Sequence, residues 1–549
     1  MIKNNYWFLI ILGFFILTRF LGLGQIYHQD EYRWASIAYS AVFGNLESPH
    51  PPIAGFAYSL VGNLFGYSNL RLVPFAFSIL NLLLLYFLSL RLSGSKKVAT
   101  IAAGLFSINI YSLIANLQID IDGAMLPFFI LLSYYFYLKF TVRRDKKGFI
   151  LFFILFLAAI VGGLMTKLSF ILFVVALIAD HLLIMYEKGR SKVEIKRIIF
   201  LFVVVGLPLF VIYILYIPKH PLIIKYVEHL NVFDLASRAY LDLAFKIFKS
   251  FVWLSPVLTL SVLYGLFLKD LFRKYRVWFM YLFVNFVFYL IPFNFSTLTI
   301  ERYFMFLIIP SIVISAEAIG RLLKNISISE KNYIFCGAGF VLLSFLILNL
   351  HYSILPLNPK EAYISQVKSM DFNFLIPFTG GSGPSGFYFS ALFIVLSWLV
   401  ALFSLLASFT AMTRRHLFVA IFLITGFGYN IFFDSEYLYG SFFGGVDGIA
   451  KQTIEFVNSD SDIERVITYY DIGAYYLILS NKYTSRFYTA PTRDYTKKLT
   501  EYRGHYMIVD FPGIDKQSNY WKLISRCRLD KKFTDKFVDS YIFDCRFLP

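Results

Sequence analysis

Apolar runs of about 20 residues recur from Tyr6 almost to Asp434, and each is long enough to cross a bilayer core about 30 Å thick. This repetition restricts the fold to a bundle of transmembrane helices, because soluble proteins do not carry such runs. Only 15% of the 549 residues are charged, whereas 58% are hydrophobic. The runs predict about thirteen spans, at 6–24, 70–92, 98–116, 122–140, 148–165, 168–186, 198–217, 251–268, 277–293, 303–320, 333–351, 387–411 and 416–434.

The charges between these runs predict the topology. The first run has the length of a signal peptide but lacks a small-residue cleavage site, so we interpret it as a retained helix. The positive-inside rule assigns loops rich in Lys and Arg to the cytoplasm. Such clusters occupy every second loop, at 91–97, 143–147, 188–197, 269–276, 321–324 and 414–415. The N-terminus is therefore predicted to be cytoplasmic and the C-terminus to lie outside a cell membrane.

The net charge of +17 has the same explanation. Basic residues that follow topology do not form a nucleic-acid surface, so no nucleic-acid partner is expected. The acidic candidates described below all fall on the predicted outer face.

After Asp434 the composition changes to that of a soluble domain. We predict a transmembrane domain over 1–434 and a small extracytoplasmic α/β domain over 435–549. Cys527 and Cys545 lie near the end of the second domain, in a compartment that allows disulfides. A bridge between them would join the terminal hairpin, and two unpaired thiols are the alternative. Short strands are predicted at 466–470, 475–479, 506–509 and 541–543, with helical stretches at 446–458 and 515–525.

Two outer loops have distinct patterns. Loop 218–250 places Tyr226, Leu230 and Phe233 at helical spacing, which predicts an amphipathic helix in the membrane interface. Loop 352–386 ends in the glycine-rich tract 380–386, which suits either the hinge of a lid or a plain linker.

Four carboxylates lie at the outer ends of predicted spans. Asp30 and Glu31 follow the first span, and Asp120 and Asp122 precede the fourth. An acid at such a depth is costly unless it faces a cavity, a metal or a partner. A carboxylate can accept a proton from an acceptor hydroxyl during glycosyl transfer. The alternative for both pairs is that they cap the helices that follow.

Three basic residues depart from the positive-inside pattern. Arg71, Lys167 and Arg302 stand at outer ends of spans, where a lipid phosphate would supply the countercharge. Snorkelling to ordinary anionic lipid is the alternative. His50 precedes Pro51 and Pro52, which impose an extended turn. The imidazole of His50 would then either point at a phosphate oxygen or simply face water.

The sequence carries no metal or nucleotide motif. The eight His residues are scattered, the cysteines lack zinc spacing, and no glycine loop for phosphates is present. A nucleotide-sugar donor is therefore not expected. A divalent metal remains possible as a cofactor, with its ligands unknown.

The polar motifs of the first 320 residues follow one another in a distinctive order on the predicted outer face. In this order the chain resembles the C-type (GT-C) glycosyltransferases, most closely the branch of protein O-mannosyltransferases and lipid A aminoarabinose transferases. The motifs are Asp30-Glu31-Tyr32, His50-Pro51-Pro52, Phe65-Gly66, Arg71-Leu72, Asp122, Thr166-Lys167 and Arg302-Tyr303.

The resemblance implies roles for these residues. Asp30 matches the catalytic acid of the first loop, Glu31 is its neighbour, and Asp122 is similar to a second acid. A donor phosphate and its sugar would be bound by a second group, which comprises His50, Arg71, Asp120, Lys167, Arg302 and Tyr303. The aminoarabinose transferases carry Lys where this chain has His50, whereas the mannosyltransferases have His-Pro-Pro.

The resemblance therefore implies an integral membrane glycosyltransferase. It would move a hexose or pentose from a polyprenyl- or dolichyl-phosphate donor to an acceptor protein, lipid or glycan on the outer face. Two alternatives stay open. Tyr469-Tyr470-Asp471-Ile472-Gly473 is similar to the acceptor motif of oligosaccharyltransferases with both tryptophans replaced. A secondary transporter is the rival from another class, although no internal repeat is found.

Overall fold

The structure is a computed structural model, and it describes the chain with gaps. Asp30, the predicted span 198–217, most of the predicted amphipathic helix, the glycine-rich tract, the predicted strand 475–479 and the Tyr469–Gly473 motif lie outside the described residues. The residues that the structure does describe are 6–27, 31, 34–35, 37–38, 50–142, 145–187, 206, 240–291, 301–324, 326, 330–350, 360–378, 387–463, 466–468, 487–489, 506–509 and 519–546.

The chain separates into two compact units. The first comprises Met1–Phe20, Ile37–Leu64 and Arg71–Asn325, and the second comprises Leu21–Ser36, Phe65–Leu70 and Ile326–Pro549. The second unit contains apolar helices as well as the C-terminal sheet. The predicted boundary at residue 434 stays a prediction.

Helices form nearly all of the described part of the first unit. Their apolar sequences leave few polar side chains to compete with the backbone ladder, and several begin at a capping residue, such as Asp145, whose carboxylate accepts from the Gly148 amide. The helices are α1 (Tyr6–Gly22), α2 (Pro52–Phe65), α3 (Leu72–Ser93), α4 (Lys96–Ile108), α5 (Ile110–Leu117), α6 (Met125–Phe140), α7 (Lys146–Thr166), α8 (Ile171–Glu187), α9 (Tyr240–Leu254), α10 (Pro256–Leu266), α11 (Lys269–Lys274), α12 (Arg276–Leu290) and α13 (Ile308–Leu322).

Two predicted spans are broken. α4 and α5 meet at 66°, and the end of α9 meets α10 at 101°. Asn109 separates the first pair, because its side chain accepts from the Ser112 amide and starts a new helix. In the second pair, Ser255 has φ 76° and Pro256 begins α10. The predicted spans 98–116 and 251–268 thus each contain a break that the sequence analysis did not predict.

The described residues contain six helices long and apolar enough to cross a membrane, or up to eight if each bent pair is one span. Five further apolar helices have 10 to 17 residues. One of these is α2, which lies where the sequence predicted only a loop, since Pro52 is well suited to the first helical turn. The chain is a multi-pass helical membrane protein, and the count of thirteen is not confirmed.

The second unit combines helices with two sheets. Strands β1 (Leu375–Phe378) and β2 (Phe387–Ser390) pair antiparallel, so the predicted glycine-rich hinge connects two paired strands. Phe389 in β2 stacks on Phe433 with ring centroids 3.8 Å apart. The helices are α14 (Glu330–Leu348), α15 (Lys360–Lys368), α16 (Ala391–Thr410), α17 (Arg415–Tyr439), α18 (Val446–Ser459) and α19 (Asn519–Ile524).

A mixed five-stranded sheet follows α18. Its order is β4-β3-β5-β7-β6, with β3 parallel to β4 and β5 and antiparallel pairing among β5, β7 and β6. Cys527 and Cys545 form a disulfide with their Cα atoms 4.8 Å apart, and it closes the β6–β7 hairpin at its open end. The strands are β3 (Val466–Thr468), β4 (Phe487–Thr489), β5 (Tyr506–Val509), β6 (Arg528–Asp535) and β7 (Val538–Asp544).

Candidate active site

The segment from Gln118 to Ala124 links α5 to α6 and is buried throughout. Gly123 makes this possible. A Cβ placed on Gly123 would lie 2.2 Å from the carbonyl oxygen of Ala115, so the two backbones can approach only without a side chain. This close approach fixes the position of Asp122, the preceding residue.

Two side chains from neighbouring helices hold the same segment. Tyr58 in α2 donates its hydroxyl to the carbonyl oxygen of Asp120 at 2.7 Å. Asn81 in α3 donates its amide to the carbonyl oxygen of Ala124 at 2.8 Å. Buried backbone carbonyls need such partners when no regular structure provides them. The segment is therefore anchored at both ends.

Asp120 is largely committed to this scaffold. One carboxylate oxygen accepts from the amide of Ile121 at 2.6 Å, and the Gln118 amide lies 3.5 Å from the other oxygen. The residue is 3% exposed. Its carboxylate therefore stabilises the turn that precedes Asp122.

Asp122 forms an ion pair with Lys167. The Lys167 ammonium lies 2.6 Å from each carboxylate oxygen of Asp122, and the two side chains are 12% and 10% exposed. Lys167 directly follows α7, whereas Asp122 precedes α6, and α6 packs against α7. The protein itself thus supplies a countercharge for Lys167, whereas the sequence analysis considered only a lipid phosphate or ordinary anionic lipid.

Tyr303 completes the cluster. Its ring centroid is 5.3 Å from the Lys167 ammonium, a cation–π distance that helps to orient the charge. Tyr303 belongs to the 3₁₀ helix Glu301–Leu307. Arg302 lies in the same short helix, but its side chain is outside the described part of the structure.

A cavity of about 20 Å³ adjoins the pair. That volume accommodates about one water molecule and is too small for a sugar, so donor entry requires side chains to move. The sequence analysis missed the aromatic and amide residues that form it, because Tyr and Asn within an apolar run resemble ordinary span residues. The polar lining consists of Asp122, Ser169, Tyr281, Asn285, Tyr289 and Tyr303.

The remaining predicted residues are placed as follows. Glu31 is fully buried, as is Arg71, which directly precedes α3. His50 is half-buried and lies two residues before α2 begins at Pro52. Pro51 thus precedes the helix, and Pro52 starts it. Asp30 lies outside the described residues.

The described residues contain no group of three or more His, Cys, Asp or Glu side chains placed to hold a metal ion. The described groups at the cluster are a buried carboxylate, an ammonium and phenol hydroxyls. Such a set can bind an anion through Lys167 and accept hydrogen bonds from hydroxyl groups through Asp122.

Comparison with known proteins gives a family match over part of the chain and a likeness in fold. The family described as dolichyl-phosphate-mannose-protein mannosyltransferase matches residues 49–216, less than a third of the chain. ArnT from Cupriavidus metallidurans bound to undecaprenyl phosphate is similar over 98% of both chains, with a TM-score of 0.54 and 13% identity. The apo state of the same protein is similar over the same shares of both chains, with a TM-score of 0.50 and 14% identity.

A third solved structure is less similar. The S. cerevisiae Pmt1–Pmt2 complex bound to the sugar donor covers 41% of this chain and 34% of its own, with 19% identity and a TM-score of 0.34, which carries no argument. A search of the curated proteins found no match. The resemblance to protein O-mannosyltransferases is confirmed over residues 49–216, and the likeness to ArnT shows the fold.

Proposed function

We propose that the protein is an integral membrane glycosyltransferase that transfers a sugar from a polyprenyl- or dolichyl-phosphate donor to an acceptor on the outer face. The observation that carries the proposal is the buried Asp122–Lys167 pair beside a Tyr-lined cavity. It occurs in a fold shared with a protein whose structure contains undecaprenyl phosphate. The acceptor is a protein, lipid or glycan.

Lys167 is the proposed donor-phosphate ligand. An ammonium has three N–H donors, and its two contacts with Asp122 occupy no more than two of them. The third is available to a phosphate oxygen. Arg302 would add a planar, two-pronged donor from the 3₁₀ helix that also carries Tyr303. His50 and Arg71 are assigned to the same donor.

Asp30 is the proposed general base. The acceptor hydroxyl transfers its proton to the Asp30 carboxylate as its oxygen bonds to the anomeric carbon. The bond from that carbon to the phosphate oxygen breaks, and its electron pair leaves with the lipid phosphate. Lys167 and Arg302 stabilise the charge that develops on the leaving group. Asp122 positions Lys167, and Glu31 supports Asp30.

Asp30→Asn tests the base in proteoliposomes supplied with a radiolabelled polyprenyl-phosphate sugar. An amide keeps the volume but accepts no proton, so the transfer rate should fall about a hundred- to ten-thousand-fold, whereas donor binding should persist. Asp371→Asn, at an exposed carboxylate, is the matched control and should transfer normally. A wild-type rate for Asp30→Asn would assign the base elsewhere.

Two further arms test the donor site and the reaction class. Lys167→Ala and Arg302→Ala should each reduce kcat/KM for the donor about ten- to a hundred-fold, with a smaller effect on the acceptor. Arg302→Lys should recover only part of the loss, since it lacks the planar fork. Uptake of a solute into the same liposomes without any sugar transfer would instead identify a transporter.

A further inference from the structure

A cavity of about 540 Å³ lies in the second unit, where α17 ends and α18 begins. Ligand sites of this size are typical for small molecules. The lining contains both polar and aromatic residues, and it includes Glu436, Tyr439, Asp447, Gly448, Gln452 and Asp535. The proposed transfer reaction uses none of these residues.

Two glycines shape the cavity wall. Gly440 has φ 59° and Gly444 has φ 121°, backbone conformations that other residues adopt with strain. A Cβ on Gly440 would lie 2.2 Å from the Gly445 nitrogen, and one on Gly444 would lie 2.2 Å from the Asp535 carbonyl oxygen. The turn from 440 to 445 is thus folded tightly against the β6–β7 hairpin.

Three carboxylates face the cavity, and each already has donors. Glu436 accepts from the amides of Phe442 at 2.6 Å and Phe443 at 3.1 Å. Asp535 accepts from the Gly445 amide at 2.8 Å. These bonds compensate part of the negative charge without filling all the acceptor positions of a carboxylate.

Asp447 follows the same pattern. One oxygen accepts from the Ile26 amide at 2.7 Å, and the other pairs with Lys451 at 2.7 Å. The cavity therefore offers several acceptor oxygens, on carboxylates that are each already held by a backbone amide or by Lys451. The acceptor positions that these contacts leave suit the hydroxyl donors of a neutral ligand.

We propose that this cavity binds a neutral carbohydrate of one or two hexose units. Carboxylate oxygens accept hydrogen bonds from sugar hydroxyls. The ring of Tyr439, whose residue is 59% exposed, offers an apolar face for the C–H side of the sugar. The inference is independent of the transfer activity.

Gly448 allows the cavity to be filled without disturbing the fold. It lies in the first turn of α18 and lines the cavity, and a Cβ placed on it meets nothing within 4 Å. Gly448→Leu therefore adds bulk where the sugar would lie and also favours the helix. Gly337 in α14 has the same open surroundings outside this cavity, so Gly337→Leu is its matched control.

Binding is measured by saturation-transfer NMR on the full chain in nanodiscs, because maltoside detergents would compete. The probes are glucose, galactose, mannose, maltose and lactose. At least one should bind saturably, and Gly448→Leu should weaken it about tenfold or more by steric exclusion, whereas Gly337→Leu should not. Tyr439→Ala should weaken it up to about tenfold, and Tyr333→Ala should not.

Three results would overturn the proposal. They are the absence of saturable binding of any of the five sugars, binding that survives Gly448→Leu unchanged, and tighter saturable binding of Ca²⁺ or spermidine at the same residues. Each is read independently of transfer activity, so failure of the transfer assay leaves this test intact.

Discussion

The Asp122–Lys167 pair limits what either residue can do alone. Neither charge is exposed enough to be solvated by bulk water, so each is stabilised by the other as a countercharge. A donor phosphate would join this pair as a third charged group. The pair therefore has a structural role and a proposed functional role, and the two can be separated.

Single and double substitutions separate them. Asp122→Asn and Lys167→Met should each lower the free energy of unfolding by about 3 kcal/mol, because one buried charge loses its partner in this ion pair. The double variant should regain most of that stability but not the transfer rate. Thermal unfolding in detergent and transfer kinetics provide the two measurements.

Lys532→Met is the comparison, since Lys532 pairs with Asp539 at a more exposed site. That substitution should lower the free energy of unfolding by about 1 kcal/mol or less. A double variant that stays as unstable as the singles would show that other contacts of the two residues dominate.

Gly123 provides a second prediction at this scale. Gly123→Ala should destabilise the protein by about 1–3 kcal/mol or more, since the methyl group would collide with the Ala115 backbone. It should also reduce transfer by displacing Asp122. Gly13→Ala, where a Cβ meets nothing within 4 Å, should be neutral or stabilising. Equal melting temperatures for the two variants would contradict the steric argument.

Sequence reasoning identified both members of the pair but not the pairing. Asp122 and Lys167 were selected as charges at outer span ends, whereas their contact spans 45 residues and depends on how α6 crosses α7. Tyr281 and Tyr289 could not be selected, because aromatic residues are common in spans and carry no periodic signal. Gly123 could not be selected either, because the backbone that leaves no room for a side chain there belongs to Ala115 in another element.

At the scale of elements, the two broken spans are connected. Asn109, at the break between α4 and α5, donates its side-chain amide to the carbonyl oxygen of Leu254 at 3.0 Å. Leu254 ends α9, one residue before the second break. One amide thus satisfies a helix-end carbonyl that would otherwise be orphaned in an apolar environment. Hydropathy averages over a window, so it cannot reveal such breaks.

The second break stores backbone strain. Ser255 has φ 76° and ψ 154°, a region occupied almost entirely by glycine. Ser255→Gly should therefore stabilise the protein by about 1 kcal/mol or more. Ser261→Gly, inside α10, should destabilise it by about 1 kcal/mol. Unfolding in denaturant compares the two, and destabilisation by Ser255→Gly would indicate that the hydroxyl matters more than the backbone.

At the scale of the whole molecule, composition was enough to predict a multi-pass helical protein, and motif order was enough to predict its relatives. The extents of the spans were less predictable, because 3₁₀ turns and bends shorten several of them. The sheet order was not predictable, since β3 pairs with β5 about 40 residues later and no short-range pattern encodes that choice.

Orientation is tested on the same scale. Reporter fusions after Arg143, Arg190, Arg273 and Arg414 should indicate cytoplasm, and one after Pro549 should indicate the opposite side.

Peptide mapping without reductant should recover Cys527 and Cys545 as one linked pair, because that side is oxidising. A cytoplasmic C-terminus would remove the sidedness argument for every proposed site residue.

The position of β7 affects how the protein is made. β7 is the last strand in chain order, yet it lies between β5 and β6 rather than at an edge. The sheet therefore remains split while a ribosome is still synthesising residues 538–544. A chain that ends before residue 538 would lack the strand that pairs with both β5 and β6, and Cys527 would lack its disulfide partner.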